Sequence, residues 1–138
     1  RVVALRDRRE AGEIQPSEEA ELEQLEQRME LRLDIMRRML DYGMKDRIVP
    51  GTDSGVGLLA FGHLDYDLQL LVQVGFTPAE ALESATRISA QAIGMEQEVG
   101  TIEPGKIADL VAFDGDPNQD VTATSRVTAV FQGGQQIQ

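Results

Sequence analysis

Three observations predict an α/β fold for this sequence. A short apolar run, Ile48-Val49, leads directly into Gly51-Thr52-Asp53-Ser54-Gly55. Strands of a parallel α/β barrel are buried on both faces, so they read as uninterrupted apolar runs, and their C-terminal ends carry the chemistry. Segments of helical periodicity lie on both sides of that run, and beyond Gly94 the pattern changes to short strands separated by Pro-Gly and Gly-Gly turns. One barrel-type strand in 138 residues cannot furnish a complete active site.

The elements follow in chain order. Residues 1–15 are basic and then polar, and the brief Val2-Val3-Ala4-Leu5 run reads as the tail of a strand. Pro16-Ser17-Glu18-Glu19 is a helix start, with Ser17 as N-cap and acidic residues in the first turn. Leu22, Leu25, Met29, Leu33, Met36, Met39 and Leu40 then recur at three- and four-residue steps, predicting a helix over 18–42 that stops at Gly43. A two-stranded coiled coil is the competing reading of that helix, opposed by Arg32 on the expected seam. The strand is expected at 47–51.

Leu58, Leu59, Phe61, Leu64, Leu68, Leu71 and Val72 predict an amphipathic helix over 57–75. Thr77-Pro78-Ala79-Glu80 reads as a capping box with Pro at the first helical position. The helix it opens, 78–93, has Ala81, Leu82, Ala85, Ile88, Ala92 and Ile93 as its expected buried stripe, with Gly94 closing it. Strands are expected around 108–113 and 126–132, the latter continuing through a two-residue Gly133-Gly134 turn into a returning strand.

Composition narrows the function. Lys and Arg number 13 against 24 Asp and Glu, a net charge of -11, which disfavours both nucleic acid and anionic membrane surfaces as partners. There is no cysteine, which excludes disulfides, thiolate metal sites and a Cys nucleophile. No apolar run reaches the ~18–20 residues of a membrane span. The first residue is Arg1 rather than Met, so preceding sequence is expected. A cytoplasmic location is the expectation, with any targeting signal upstream left open.

Asp53 is the principal chemical candidate. Held between glycines at the end of a strand, its carboxylate could ligate a divalent metal and accept a proton from the attacking water. The competing reading is an Asx-turn in which Asp53 bonds local backbone N–H groups. His63 is the sole histidine, placed near the same strand end, where it could contact a substrate. One His and one Asp fall short of the three or four ligands that zinc takes. Asp65 and Asp67 cannot face one another at a two-residue spacing and read as solvated charge. Asp114-Gly115-Asp116-Pro117 reads as a turn, because the further ligands of a calcium loop are absent.

Taken together and in order, these stretches resemble the C-terminal part of the amidohydrolase superfamily, in its imidazolonepropionase-like and Xaa-Pro dipeptidase-like members. The matching blocks are Ile48–Gly55, Gly75–Leu82, Ser84-Ala85-Thr86, Ala92-Ile93-Gly94, and Val99–Val111 with Asp114–Pro117 beyond. The resemblance implies the C-terminal portion of a (β/α)8 TIM-like barrel followed by part of a small composite β-sandwich. Residues 1–93 would hold the last barrel strand and flanking helices of a metal-dependent hydrolase domain, and residues 94–138 the C-terminal part of the sandwich. It implies hydrolysis of C–N bonds in an amide, cyclic amide or dipeptide, with Asp53 as metal ligand and proton shuttle. The implied cofactor is a divalent metal, zinc in the first place, as one or two ions. Ser54, Gly55 and His63 would line the substrate end of the pocket. The family's His-x-His pair, bridging Lys or carboxylate and later-strand histidines have no counterpart here. The chain therefore reads as a C-terminal fragment, silent alone, that self-associates or is ordered beside the missing N-terminal portion. A non-catalytic helical and β oligomerisation module is the alternative.

Overall fold

The computed structural model describes residues 2–53 and 62–138. The chain divides into two compact units, Arg1–Met39 and Leu40–Gln138. The first holds α1 (Val2–Glu10) and nearly all of α2 (Pro16–Asp41). The expected strand at Val2–Leu5 is therefore corrected to helix. Its side chains explain the outcome: Leu5 is fully buried, while Arg6, Arg8 and Arg9 reach carboxylates on α2. Arg6 Nε lies 2.7 Å from Glu26 Oε1, Arg9 bridges Glu19 and Glu26 at 2.9 and 3.2 Å, and Arg8 pairs with Glu18. Leu22 and Leu33 are the buried residues of α2. Leu31 and Ile35, four residues apart on that helix, are exposed.

The second unit packs α3 (Leu64–Val74), α4 (Pro78–Glu83), a π turn (Ser84–Ile88) and α5 (Ser89–Ala92) with a short 3₁₀ turn at Val121–Ser125. Leu68, Leu71, Val74, Phe76, Ala81, Ile88, Val121 and Ala123 form its core. The capping box is present as read from the sequence. Glu80 N–H donates to Thr77 Oγ1 at 3.2 Å, and Thr77 N–H donates back to Glu80 Oε2 at 2.7 Å. The stripe of the 78–93 helix is buried at Ala81 and Ile88 and half-buried at Leu82 and Ala85, but fails at its end, where Ala92 is exposed and Ile93 is 69 % exposed. Of the helix expected over 57–75, the described part is Leu64–Val74; Leu58, Leu59 and Phe61 lie outside the described residues.

Three antiparallel strands make the sheet, in the order β1 (Leu110–Phe113), β2 (Val127–Gln132), β3 (Gln135–Gln136). Leu110 faces Phe131 and Ala112 faces Ala129, and the register shifts after Ala112. The predicted two-residue turn forms, with φ of 56° at Gly133 and 81° at Gly134, the left-handed pair a primed hairpin turn requires. Asp109 Oδ1 accepts from Gly133 N–H at 2.7 Å, tying the hairpin to the start of β1. Asp116 forms the expected turn, its Oδ1 accepting from Asn118 N–H at 3.0 Å. The Asn118 N–H and side-chain amide hold the Asp116 carboxyl below its ordinary value.

The strand expected at 47–51 is not formed. Lys45–Arg47 is a 3₁₀ turn, and Ile48 is extended (φ −98°, ψ 121°) and buried. A strand exists only as part of a ladder, and no described strand lies beside this one. Ile48 keeps the backbone shape of a strand and finds a side-chain donor instead.

Candidate active site

The segment that carries Asp53 is anchored at two points. Lys45 Nζ lies 2.5 Å from Glu80 Oε2, 3.4 Å from the Gly75 carbonyl, and over the Phe76 ring at 5.1 Å. Three residues on, the Ile48 carbonyl accepts from Ser84 Oγ at 2.7 Å. The ion pair with Lys45 and the Thr77 N–H lower the Glu80 carboxyl to about 2. One anchor ties the chain entering Asp53 to the first turn of α4, and the other ties it to the π turn that follows α4.

Asp53 itself is exposed, and its φ of 46° is the one positive value at a non-glycine position among the described residues. Left-handed backbone is tolerated by Asp better than by most residues, and such outliers concentrate at functional sites. The N–H groups that an Asx-turn at Asp53 would use follow it directly, at positions outside the described residues. Ser54 and Gly55 lie outside the described residues. His63 is exposed, directly precedes α3, and has its ring 5.5 Å from that of Tyr66.

A cleft of about 1100 Å³ opens between the helices and the sheet of the second unit. Its wall is largely apolar, with Leu64, Ile93, Ile102, Ile107, Leu110 and Val111 contributing, and it includes His63. Asp53 is not among its lining residues. Ile102, 88 % exposed, shows how little covers that wall. Asp67 departs from the solvated reading: its Oδ2 is buried without a hydrogen-bond partner among the described residues, and burial, then the neighbouring Asp65 charge, raises its carboxyl.

Among the described residues no three His, Cys, Asp or Glu side chains gather where they could hold a metal ion. With one histidine and no cysteine in the sequence, the donors present do not fit a complete metal site. Asp53 offers one carboxylate with its lone pairs free of described donors.

Three residues that order the site escaped the sequence reading: Lys45, Ser84 and, as an ion-pair partner, Glu80. Ser84 had a visible signal. It falls three residues after Ala81 and four before Ile88, so a hydroxyl occupies an apolar stripe position, where burial demands a partner. The glycine of the Val99-Gly100-Thr101 block also gains a reason. A Cβ on Gly100, whose φ is 93°, would sit 2.6 Å from Ala90 Cβ and 3.1 Å from the Thr86 carbonyl. Only glycine lets this loop lie against the π turn and α5.

Residues 17–137 match the amidohydrolase family, and the chain belongs to it. It is 40 % identical over 79 residues to an imidazolonepropionase from Geobacillus kaustophilus (strain HTA426), covering 56 % of this chain and 18 % of that protein. Its fold is similar to a Xaa-Pro dipeptidase crystallised with methionine in the active site, at a TM-score of 0.68 and 31 % identity over 77 % of this chain and 25 % of that one. A similar match, TM-score 0.67 and 34 % identity, is to a putative prolidase from Bifidobacterium longum, over 73 % of this chain and 25 % of that one. The chain thus spans about a fifth to a quarter of the length of these relatives.

Proposed function

We propose that this chain contributes Asp53 to the active site of a metal-dependent hydrolase that cleaves C–N bonds in an amide, cyclic amide or dipeptide. The carrying observation is the exposed Asp53 carboxylate on a left-handed backbone, five residues after the extended Ile48, within a chain of the amidohydrolase family. Residues 1–93 would belong to the (β/α)8 barrel and 94–138 to the composite sandwich. The similarity to an imidazolonepropionase and a Xaa-Pro dipeptidase supports a small amide-type substrate.

In this reading Asp53 takes the proton from the attacking water and returns it to the departing nitrogen, so that no free hydroxide or amide anion forms. A divalent cation, zinc first, would lower the pKa of that water to about 7, with Asp53 as this chain's ligand. The remaining ligands come from outside the described residues. Ser54, Gly55 and His63 border the substrate. The catalytic unit is then completed by polypeptide beyond these 138 residues, and the chain alone is silent even with zinc or manganese.

In the full-length protein, Asp53→Asn should lower kcat by about 10²–10⁴-fold on Xaa-Pro dipeptides or imidazolonepropionate. Turnover within twofold of wild type would remove Asp53 from the mechanism. The exposed Leu31 and Ile35 favour a second reading, a non-catalytic oligomerisation module or homo-oligomer interface. A defined dimer by light scattering, together with no turnover in the full-length protein, would select it.

A further inference from the structure

We infer that Ser84 is a positioning residue for Asp53, acting through the Ile48 carbonyl. The inference rests on the reading of Asp53 as the proton-transferring carboxylate. Ser84 is fully buried and its Oγ lies 2.7 Å from Ile48 O, across 36 residues of sequence. A helical hydroxyl can bond back to its own helix, as Thr86 Oγ1 does to Leu82 O, whereas Ser84 donates to Ile48 O, where the segment leading to Asp53 begins. Pro50 follows two residues later, and its ring fixes φ, so the direction set at Ile48 is carried toward Gly51 and Asp53.

The helix is distorted around Ser84. The Ser84–Ile88 segment is a π turn, a feature that occurs mostly as a single turn inside an α-helix and frequently at functional sites. The π turn replaces the ordinary i→i−4 pairing, so that the Ser84 carbonyl accepts from Ser89 N–H and also from Ser89 Oγ at 2.8 Å. Gly100 backs the same turn at a distance no other residue permits. The distortion is thus held from behind while its first residue grips the segment leading to Asp53. A serine needed only for helix stability would not require this, since alanine is the better helix former.

The test is made in the full-length protein with Ser84→Ala and, to keep the volume while weakening the donor, Ser84→Cys. Thr86→Ala is the control, because Thr86 Oγ1 donates only to Leu82 O of its own helix. Amide exchange of Val49, Gly51, Thr52 and Asp53 should accelerate about tenfold in both Ser84 variants. In the same proteins kcat on a Xaa-Pro dipeptide should fall about tenfold with KM within twofold, while Thr86→Ala changes neither readout. Unchanged exchange in both Ser84 variants overturns the inference. So does unchanged kcat with Asp53→Asn inactive, which leaves the reading of Asp53 standing. An active Asp53→Asn protein overturns the reading and the inference together.

Discussion

In the Arg1–Met39 unit, arginines of α1 meet glutamates of α2 around a short list of buried leucines. In the Leu40–Gln138 unit, aliphatic side chains and Phe76 from α3, α4 and the Val121–Ser125 turn bury one another. The difference is one of range and medium. Exposed ion pairs act through water, are screened by salt, and are worth little each, whereas apolar packing transmits a displaced atom directly to its neighbours. Asp53 sits in the packed unit, and its entry segment is tied to α4. A group that must be placed to a fraction of an ångström gains from surroundings that resist deformation.

The sharpest way to break that comparison is Gly100→Ala. The added Cβ would meet Ala90 Cβ at 2.6 Å and backbone at 3.1–3.2 Å, on a φ of 93°. Overpacking plus a left-handed alanine should cost about 2–4 kcal/mol. Urea unfolding of the second unit should shift accordingly, with amide exchange in α1 untouched. An unchanged urea midpoint would mean that the packed unit yields as easily as the charged one.

Next in size is Glu80→Gln, which keeps a capping-box side chain but discharges the partner of Lys45. The Glu80 side chain is 39 % exposed, so screening limits the loss to about 1 kcal/mol. Its pH signature is more telling. The carboxyl is lowered from 4.5 to about 2, chiefly by the Lys45 bond. The folded state therefore binds its proton less readily than the unfolded chain. That contribution is complete above pH 4.5 and fades as the pH falls toward 2. Wild type and Gln variant should differ most near neutral pH and converge in urea melts at the acid end of that window. A constant gap from pH 6 to 2.5 would show that the Lys45 pair contributes nothing.

What the sequence disclosed divides along a similar line. Local chemistry was legible: the Thr77–Glu80 box, the Gly133-Gly134 hairpin and the Asp116 turn form because neighbouring residues satisfy one another, and all three are present. Features that depend on a distant partner were not. Val2–Leu5 looks like a strand until Arg6, Arg8 and Arg9 find glutamates on α2. Ile48-Val49 has strand composition, yet a ladder needs a neighbour, and the neighbour found is a serine 36 residues on. Ile93 occupies a buried stripe position in the helical repeat and stands in solvent, because burial needs a covering surface as well as a period. For the candidate site, Asp53 stands out in the sequence as a carboxylate between glycines within ordered family blocks; the stripe position of Ser84 signals a buried hydroxyl but not its partner, and Lys45 acts through tertiary contacts that no spacing encodes.

The smallest expected effect belongs to the first unit and sharpens the contrast most cleanly. Glu26 is lowered below its ordinary value by Arg6 and, beyond the opposing effect of desolvation, by Arg9. Its contribution is therefore present above pH 4.5, the unfolded value, and is lost as the pH falls through the lower folded one. Salt acts on the same ties, since at about 1 M the Debye length is only about 3 Å. Arg9→Ala removes the residue that bridges Glu19 and Glu26, and should raise amide exchange in α1 by less than Glu80→Gln affects the second unit. Acid or high salt should produce the same acceleration in the wild type, with the amides of Leu68, Leu71 and Val74 unmoved. If α1 exchange ignored salt, pH and the loss of Arg9 alike, α1 would be held to α2 by buried leucines such as Leu5 and Leu22, and the distinction between a charged and a packed unit would dissolve into one of core size.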